Sequence, residues 1–244
     1  MPNYVKNILT FTGDSQTIEK LFKTVKTKES DFDFNTIIPM PESLNIESGS
    51  SSELSYDYIC YLKSKKISDN LTRLYQRYVN QCEANKENLT DTGFEKYLQA
   101  QCFLNISLGK QVYENVKKYG YKDWYDWSRK VWGTKWNAMV AEKSNENEMD
   151  FDTAWTAPFP VMMKLSAMFP TITIHHQWAD EDIGANTGEQ TYLAGEIIEP
   201  DTVEEFSSEA YQIYEKCWGE TECIGVDDDG QYFRRTCDEC KLCK

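Results

Sequence analysis

Residues 54–118 carry apolar side chains at spacings of three and four with no strand-like alternation, whereas the sequence on either side mixes short β-branched runs with helical ones. Tyr58, Leu62, Leu71, Leu74, Tyr75, Tyr78, Tyr97, Phe103, Val112 and Val116 recur among Lys, Gln, Asn and Glu. That periodicity predicts several amphipathic helices. Loops are expected near 85–93 (NKENLTDTG) and around Gly109. The block therefore reads as an α-helical insertion, 54–118, in a domain assembled from 1–53 and 119–218.

The flanks have a different rhythm. VKNILTFTG (5–13) reads as a strand closed by Gly-Asp, and Ile18, Leu21, Phe22 and Val25 place a helix over 15–27. FDFNTIIP (32–39) alternates and reads as a second strand, followed by a Ser-rich loop. NAMVAEK (137–143) and MDFDTAW (149–155) flank SNENE as a hairpin. A helix is expected over 157–170, with Pro160 in its first turn. TITIHHQWA (171–179) and TYLAGEIIE (191–199) read as paired strands, and 201–218 as a helix with an Asp201/Glu204 capping box. Strands with interspersed helices make an α+β protein, a two-layer sandwich with an antiparallel or mixed sheet.

The run DWYDWSRKVWGTKWNA (123–138) holds Trp124, Trp127, Trp132 and Trp136. Trp124 and Trp127 share one helix face, and Gly133 is placed to end that helix. Packing is the expected job of Trp124, Trp127 and Trp136. Trp132, beside Arg129, Lys130 and Lys135, is the candidate exposed contact, and these four residues form the candidate binding surface. Replacing Trp132 with Ala is then expected to leave folding nearly intact.

Forty Asp and Glu against 26 Lys and Arg give a net charge of −14. Such a chain is poorly suited to loose binding of phosphate backbones, which requires cations to displace counterions. It is suited to solubility and to steering toward a basic partner. The apolar runs fall short of the roughly 20 residues of a membrane span, and the N-terminal residues lack a signal-peptide pattern, so a cytoplasmic location is expected. Reduced or metal-bound cysteines fit that compartment better than disulfides.

Cys217, Cys223, Cys237, Cys240 and Cys243 crowd the acidic, Cys-rich tail (219–244) and its approach. Two pairs of thiolates suit tetrahedral zinc in a structural role; an unliganded tail or a local disulfide are the alternatives. His175 and His176, adjacent on a strand, point to opposite faces and cannot jointly hold a metal from one face. DDDG, EDIG and ENEMD lack the EF-hand pattern and read as solvated turns. No phosphate loop, nucleophile elbow or HExxH motif occurs.

WSRKVWGTKWNA, DTAWTAPFPVMMKLSAMFP, TITIHHQWADE and YLAGEII together resemble the YubB/Api-type ferredoxin-like family, encoded by phages, plasmids and other mobile elements. The resemblance covers residues 3–40 and 121–216; the cysteine-rich tail lies outside it. It implies a ferredoxin-like fold and no established enzyme activity, so no catalytic residue carries over. The expected function is a non-enzymatic accessory protein that binds a host macromolecule, as an acidic inhibitor or nucleic-acid mimic directed at a nucleic-acid-handling or defence protein. The alternatives are a nucleic-acid-binding module and a metal-dependent enzyme acting on nucleotides.

Overall fold

The computed structural model describes residues 3–102 and 104–236. Residues Met40–Trp127 form one compact unit, and the chain on either side of them forms the other.

The flanking unit begins with β1 (Tyr4–Thr12), which leads into α1 (Ser15–Val25). Asp14 caps α1 by accepting from the Gln16 and Thr17 N–H groups. Its buried residues, Ile18, Leu21, Phe22 and Val25, fall at helical spacing. Each such side chain stabilises the fold by roughly 1.5–3 kcal/mol relative to exposure. Phe22 meets Phe11 of β1 edge-on at 5.4 Å, which fixes α1 to one sheet face.

The helical unit contains α2 (Ser50–Ser64), α3 (Asp69–Asn85), α4 (Asp91–Cys102) and α5 (Ile106–Tyr119), and the unit boundary falls within α6 (Trp124–Val131). Its core gathers Leu54, Tyr58, Leu71, Tyr78, Phe94 and Leu98. Phe94 meets the rings of Tyr75 and Tyr78 at 5.0 and 5.5 Å. Helices α2 and α5 touch closely at Gly109, where an added Cβ would lie 2.3 Å from the Ser55 carbonyl oxygen. Gly109 is therefore a packing residue inside α5, and not the loop expected there.

After the helical unit, β2 (Met139–Asn145) and β3 (Glu148–Ala154) form the expected hairpin; α7 (Phe159–Met168) and β4 (Thr173–Asp180) follow. These strands line up as β2-β3-β1-β4, with each of these pairings antiparallel. A β-α-β-β-α-β chain with that order has ferredoxin-like topology. Two further strands, β5 (Gly188–Leu193) and β6 (Glu196–Glu199), extend the sheet beyond β4.

Alternation along β1 separates the two faces. Val5, Leu9 and Phe11 are buried on the α1/α7 face, where α7 packs Phe159 on Trp178 at 4.9 Å. Ile8 points the other way. It packs with Ala179 against Tyr211, Ile213, Tyr214 and Cys217 of α8 (Ser208–Trp218). Residues 219–236 add a small hairpin, β7 (Ile224–Val226) and β8 (Tyr232–Arg234), whose Ile224 and Tyr232 join the same cluster. Its DDDG turn is closed by Asp227 Oδ1, which accepts from the Asp229 and Gln231 N–H groups.

Three further expectations are corrected. Residues 32–39 form a 3-10 turn, Phe34–Thr36, and not a strand. Side chains serve its backbone: Asp33 accepts from Asn35 N–H and Asn137 from Phe34 N–H. Phe32 and Phe34 both pack on Phe151. The run 191–199 is a hairpin and not one strand, because Ala194 (φ +52°) and Gly195 (φ +86°) turn the chain. The last helix starts at Ser208 on a Ser207 cap. Asp201 instead accepts from the Glu189 and Val203 N–H groups, so the expected capping box is absent.

Candidate functional site

The tryptophan run ends at the edge of the sheet unit. Asp123 starts α6 by accepting from the Tyr125 and Asp126 N–H groups, both at 3.0 Å. Gly133, at φ +81°, terminates it, and its N–H donates back to Ser128 O. The chain then pairs briefly with the end of β3. Thr134 Oγ1 donates to Ala154 O at 2.8 Å and accepts from Ala154 N–H at 3.2 Å. This pairing sets Trp136 beside Trp155, and Lys135 Nζ lies 4.5 Å from the Trp136 ring centroid and 4.6 Å from that of Trp155. An ammonium over two indole faces is a doubled cation–π contact.

Trp155 is the unusual member. Its φ is +76°, a left-handed conformation that a bulky side chain rarely adopts. The residue is nonetheless 39% exposed. The backbone around it is held from both sides: its N–H donates to Asn3 O, and its carbonyl accepts from Asn186 Nδ2 at 3.1 Å. Asp180 ties the supports together by accepting from Asn3 Nδ2 and Asn186 Nδ2. Asn186 N–H donates in turn to Glu205, next to Phe206, which also has positive φ and stands exposed.

Of the four expected binding residues, Lys135 lies in this clasp. Trp132 does not reach the surface, and the expected exposure is corrected. It is 5% exposed; its indole N–H donates to Ile38 O at 2.9 Å, and its ring meets Phe34 edge-on. Burial with a satisfied polar handle is packing. Trp127 is also buried, while Trp124 and Trp136 are half-buried. Arg129 and Lys130 are exposed in the last turn of α6, where positive charge complements the helix C-terminus. Trp155 was missed because it stands 19 residues from Trp136, and only strand pairing joins them.

A second feature lies beside α8. A groove of about 630 Å³ is lined by Glu189, Glu209, Glu215, Glu220, Gln177 and Lys216, among others. Gln177 Nε2 donates to Glu189 Oε2 at 2.7 Å, Lys216 Nζ donates to Gln177 Oε1, and His175 Nε2 lies 3.5 Å from Glu189. His175 thus stands on the groove side of β4. His176, as alternation requires, points into the opposite face and is fully buried.

The expected zinc ligands are not assembled among the described residues. Cys217 sits in the α8 core, where burial pushes its thiol up to about 12. Cys223 is disulfide-bonded, against the expectation of reduced cysteines. Cys237, Cys240 and Cys243 lie outside the described residues. Among the described residues, no three His, Cys, Asp or Glu side chains are grouped to hold a metal.

The clasp segment falls where known proteins are similar. Residues 132–221 match the family model for the ferredoxin-like domain in Api92-like protein. The match begins at Trp132 and takes in the clasp, the β2-β3 hairpin and α8. The crystal structure of a protein api92 from Yersinia pseudotuberculosis is similar at 15% identity and a TM-score of 0.40, over 84% of this chain and 99% of that one. No curated protein matches. Among the described residues, no helix is long and apolar enough to cross a membrane.

Proposed function

We propose that this protein is a non-enzymatic accessory protein of a phage or other mobile element, working in the host cytoplasm by binding a basic segment of a host protein. The carrying observation is where the acid lies. Residues 40–127 hold eleven Lys and Arg against twelve Asp and Glu, nearly neutral. Residues 139–236 hold five against 21. The carboxylates of Glu189, Glu209, Glu215 and Glu220 converge on the groove beside α8. Pooled negative charge in a concave surface attracts a cationic segment and speeds its arrival.

The same geometry weighs against nucleic acid. A ferredoxin-like sheet that binds single strands offers aromatic rings on its open face. Here α8 covers that face, and the side chains beside it are Lys6, Asp152, His175, Gln177 and Glu189.

The test is binding of the full chain to a fluorescent octalysine peptide across a salt series, with the Glu209→Gln/Glu215→Gln/Glu220→Gln variant beside it. Salt-sensitive binding that the triple variant weakens at least tenfold is expected. Equal binding by both proteins would remove the groove from the reading. Capture of a basic host protein from bacterial lysate, lost in the triple variant, identifies the partner.

A further inference from the structure

We infer that Trp136 and Trp155 form a receptor for an arginine side chain of a partner protein, and that Lys135 is a built-in occupant which the arginine displaces. Three observations converge. The two rings already hold a cation, Lys135 Nζ, at 4.5 and 4.6 Å from their centroids; the chemistry of the ligand is written in the occupant. Trp155 is kept in a left-handed backbone conformation while 39% exposed. Such a conformation is strained and persists only where the surroundings enforce it. Here the Asn3 carbonyl, Asn186 and the Asp180 carboxylate enforce it from separate strands and loops. Together they aim an indole outward that relaxation would turn elsewhere.

The third observation is charge. Lys135 is the only Lys or Arg between residues 131 and 142, and the chain beyond Trp155 carries Asp180 at the end of β4 and then Glu181, Asp182, Glu204 and Glu205. Asp180, Asn186 and Glu205 belong to the hydrogen-bonded frame behind Trp155. An incoming guanidinium would meet aromatic faces backed by carboxylates. A lysine ammonium is compact and strongly hydrated, whereas a guanidinium is planar, weakly hydrated and stacks on indoles. Arginine therefore gains more from the clasp than Lys135 does, and Lys135, on a flexible stem, swings into water as arginine enters. In the closed state Lys135 covers two large rings that would otherwise invite aggregation.

The inference rests on the proposed function only in taking the ligand from a protein; the clasp and the groove are separate sites with separate tests. The probe is N-acetyl-arginine amide, with N-acetyl-citrulline amide as its neutral isostere, titrated into the full chain while the indole N–H resonances of Trp136 and Trp155 are followed by NMR. Arginine is expected to shift both resonances and to bind the Lys135→Met variant about tenfold more tightly than the wild type, the occupant's cation–π contacts having been removed. Citrulline is expected to shift neither. Trp155→Gly is expected to abolish the Trp136 shift. Equal affinity of wild type and Lys135→Met would overturn the inference, as would citrulline binding as well as arginine. If Lys135→Met does not fold, the wild type and Trp155→Gly decide alone: an arginine-induced Trp136 shift that survives in Trp155→Gly sinks the clasp. The Glu209→Gln/Glu215→Gln/Glu220→Gln variant should bind the probe like the wild type, which separates failure of the clasp from failure of the groove.

Discussion

His176 Nε2 lies 3.0 Å from Asn7 Oδ1 on the fully buried face of the sheet. Asn7 Nδ2 already donates to Val5 O and Thr153 Oγ1, both at 2.9 Å, so Asn7 Oδ1 is the acceptor and His176 Nε2 carries the proton. The other ring nitrogen, Nδ1, is buried without a partner among the described residues. The imidazole is thus a neutral strut between β4 and β1. Burial, with a smaller contribution from His175, lowers its pKa from 6.5 to about 3.

That shift makes a pH prediction. Below 6.5 the unfolded chain binds a proton that the folded chain refuses until about pH 3. The stability from this group is therefore complete above pH 6.5 and is lost as pH falls toward 3, at no more than about 1.4 kcal/mol per pH unit. Asp14, Glu19, Asp31 and Asp91, whose pKa values are also lowered, act in the same direction at more acid pH. Urea denaturation between about pH 7 and 5, run on the wild type and His176→Gln, reads the His176 contribution as the difference between them. The wild type should lose more stability across that interval than His176→Gln, which keeps a donor for Asn7. A parallel loss in both would assign the effect elsewhere.

Trp132→Ala should destabilise by about 3–5 kcal/mol, the cost of emptying a buried tryptophan site. Trp132→Phe keeps most of the ring but leaves the Ile38 carbonyl without its 2.9 Å donor, at about 1–3 kcal/mol. Chemical denaturation of both variants measures this. An unchanged midpoint for Trp132→Ala would restore the surface role that its basic neighbours implied.

The β5-β6 turn offers a stabilising change. Ala194 and Gly195 both have positive φ, the requirement of a two-residue turn that prefers Asn-Gly. Ala194→Asn should gain about 1 kcal/mol, worth roughly 2–4 °C in Tm for a chain of this size. Gly195→Ala should lose stability, because its φ is +86° and the new Cβ would lie 3.0 Å from Ala167 Cβ. Thermal melts of the two variants should move in opposite directions.

Particular residues show where sequence was sufficient. The 139–154 hairpin and the opposed histidines follow from period-two alternation, and the α1 core from the helical period. Those are local rules. Trp132 defeated them because its position is decided by Ile38, 94 residues away along the chain. Phe32 and Phe34 alternate like a strand, yet the Asn137 and Asp33 side chains take the backbone bonds a strand would need. In the clasp, Lys135 was legible as a basic residue among rings. Trp155 was not, because nothing near it in sequence announces a positive φ or its pairing with Trp136. The groove carboxylates were legible as charge but not as neighbours, since β5 and α8 meet only in the folded unit.

Trp155 supplies the sharpest contrast between stability and binding. At an ordinary position Ala is preferred over Gly by about 0.5–1 kcal/mol, because glycine loses more backbone freedom on folding. At φ +76° the preference should reverse: any Cβ costs about 1–2 kcal/mol there, and glycine removes that strain. Trp155→Gly is therefore expected to be more stable than Trp155→Ala by about 1 kcal/mol. The Lys135 contact it gives up is worth only about 0.5–1 kcal/mol at an exposed site. Urea midpoints of the three proteins check the order. If Trp155→Ala proves the more stable variant, the left-handed conformation is not strained, and one support for a purposeful outward indole is gone. If glycine wins while arginine binding vanishes, the tryptophan is retained at a cost to the fold, as expected of a residue kept for what it contacts.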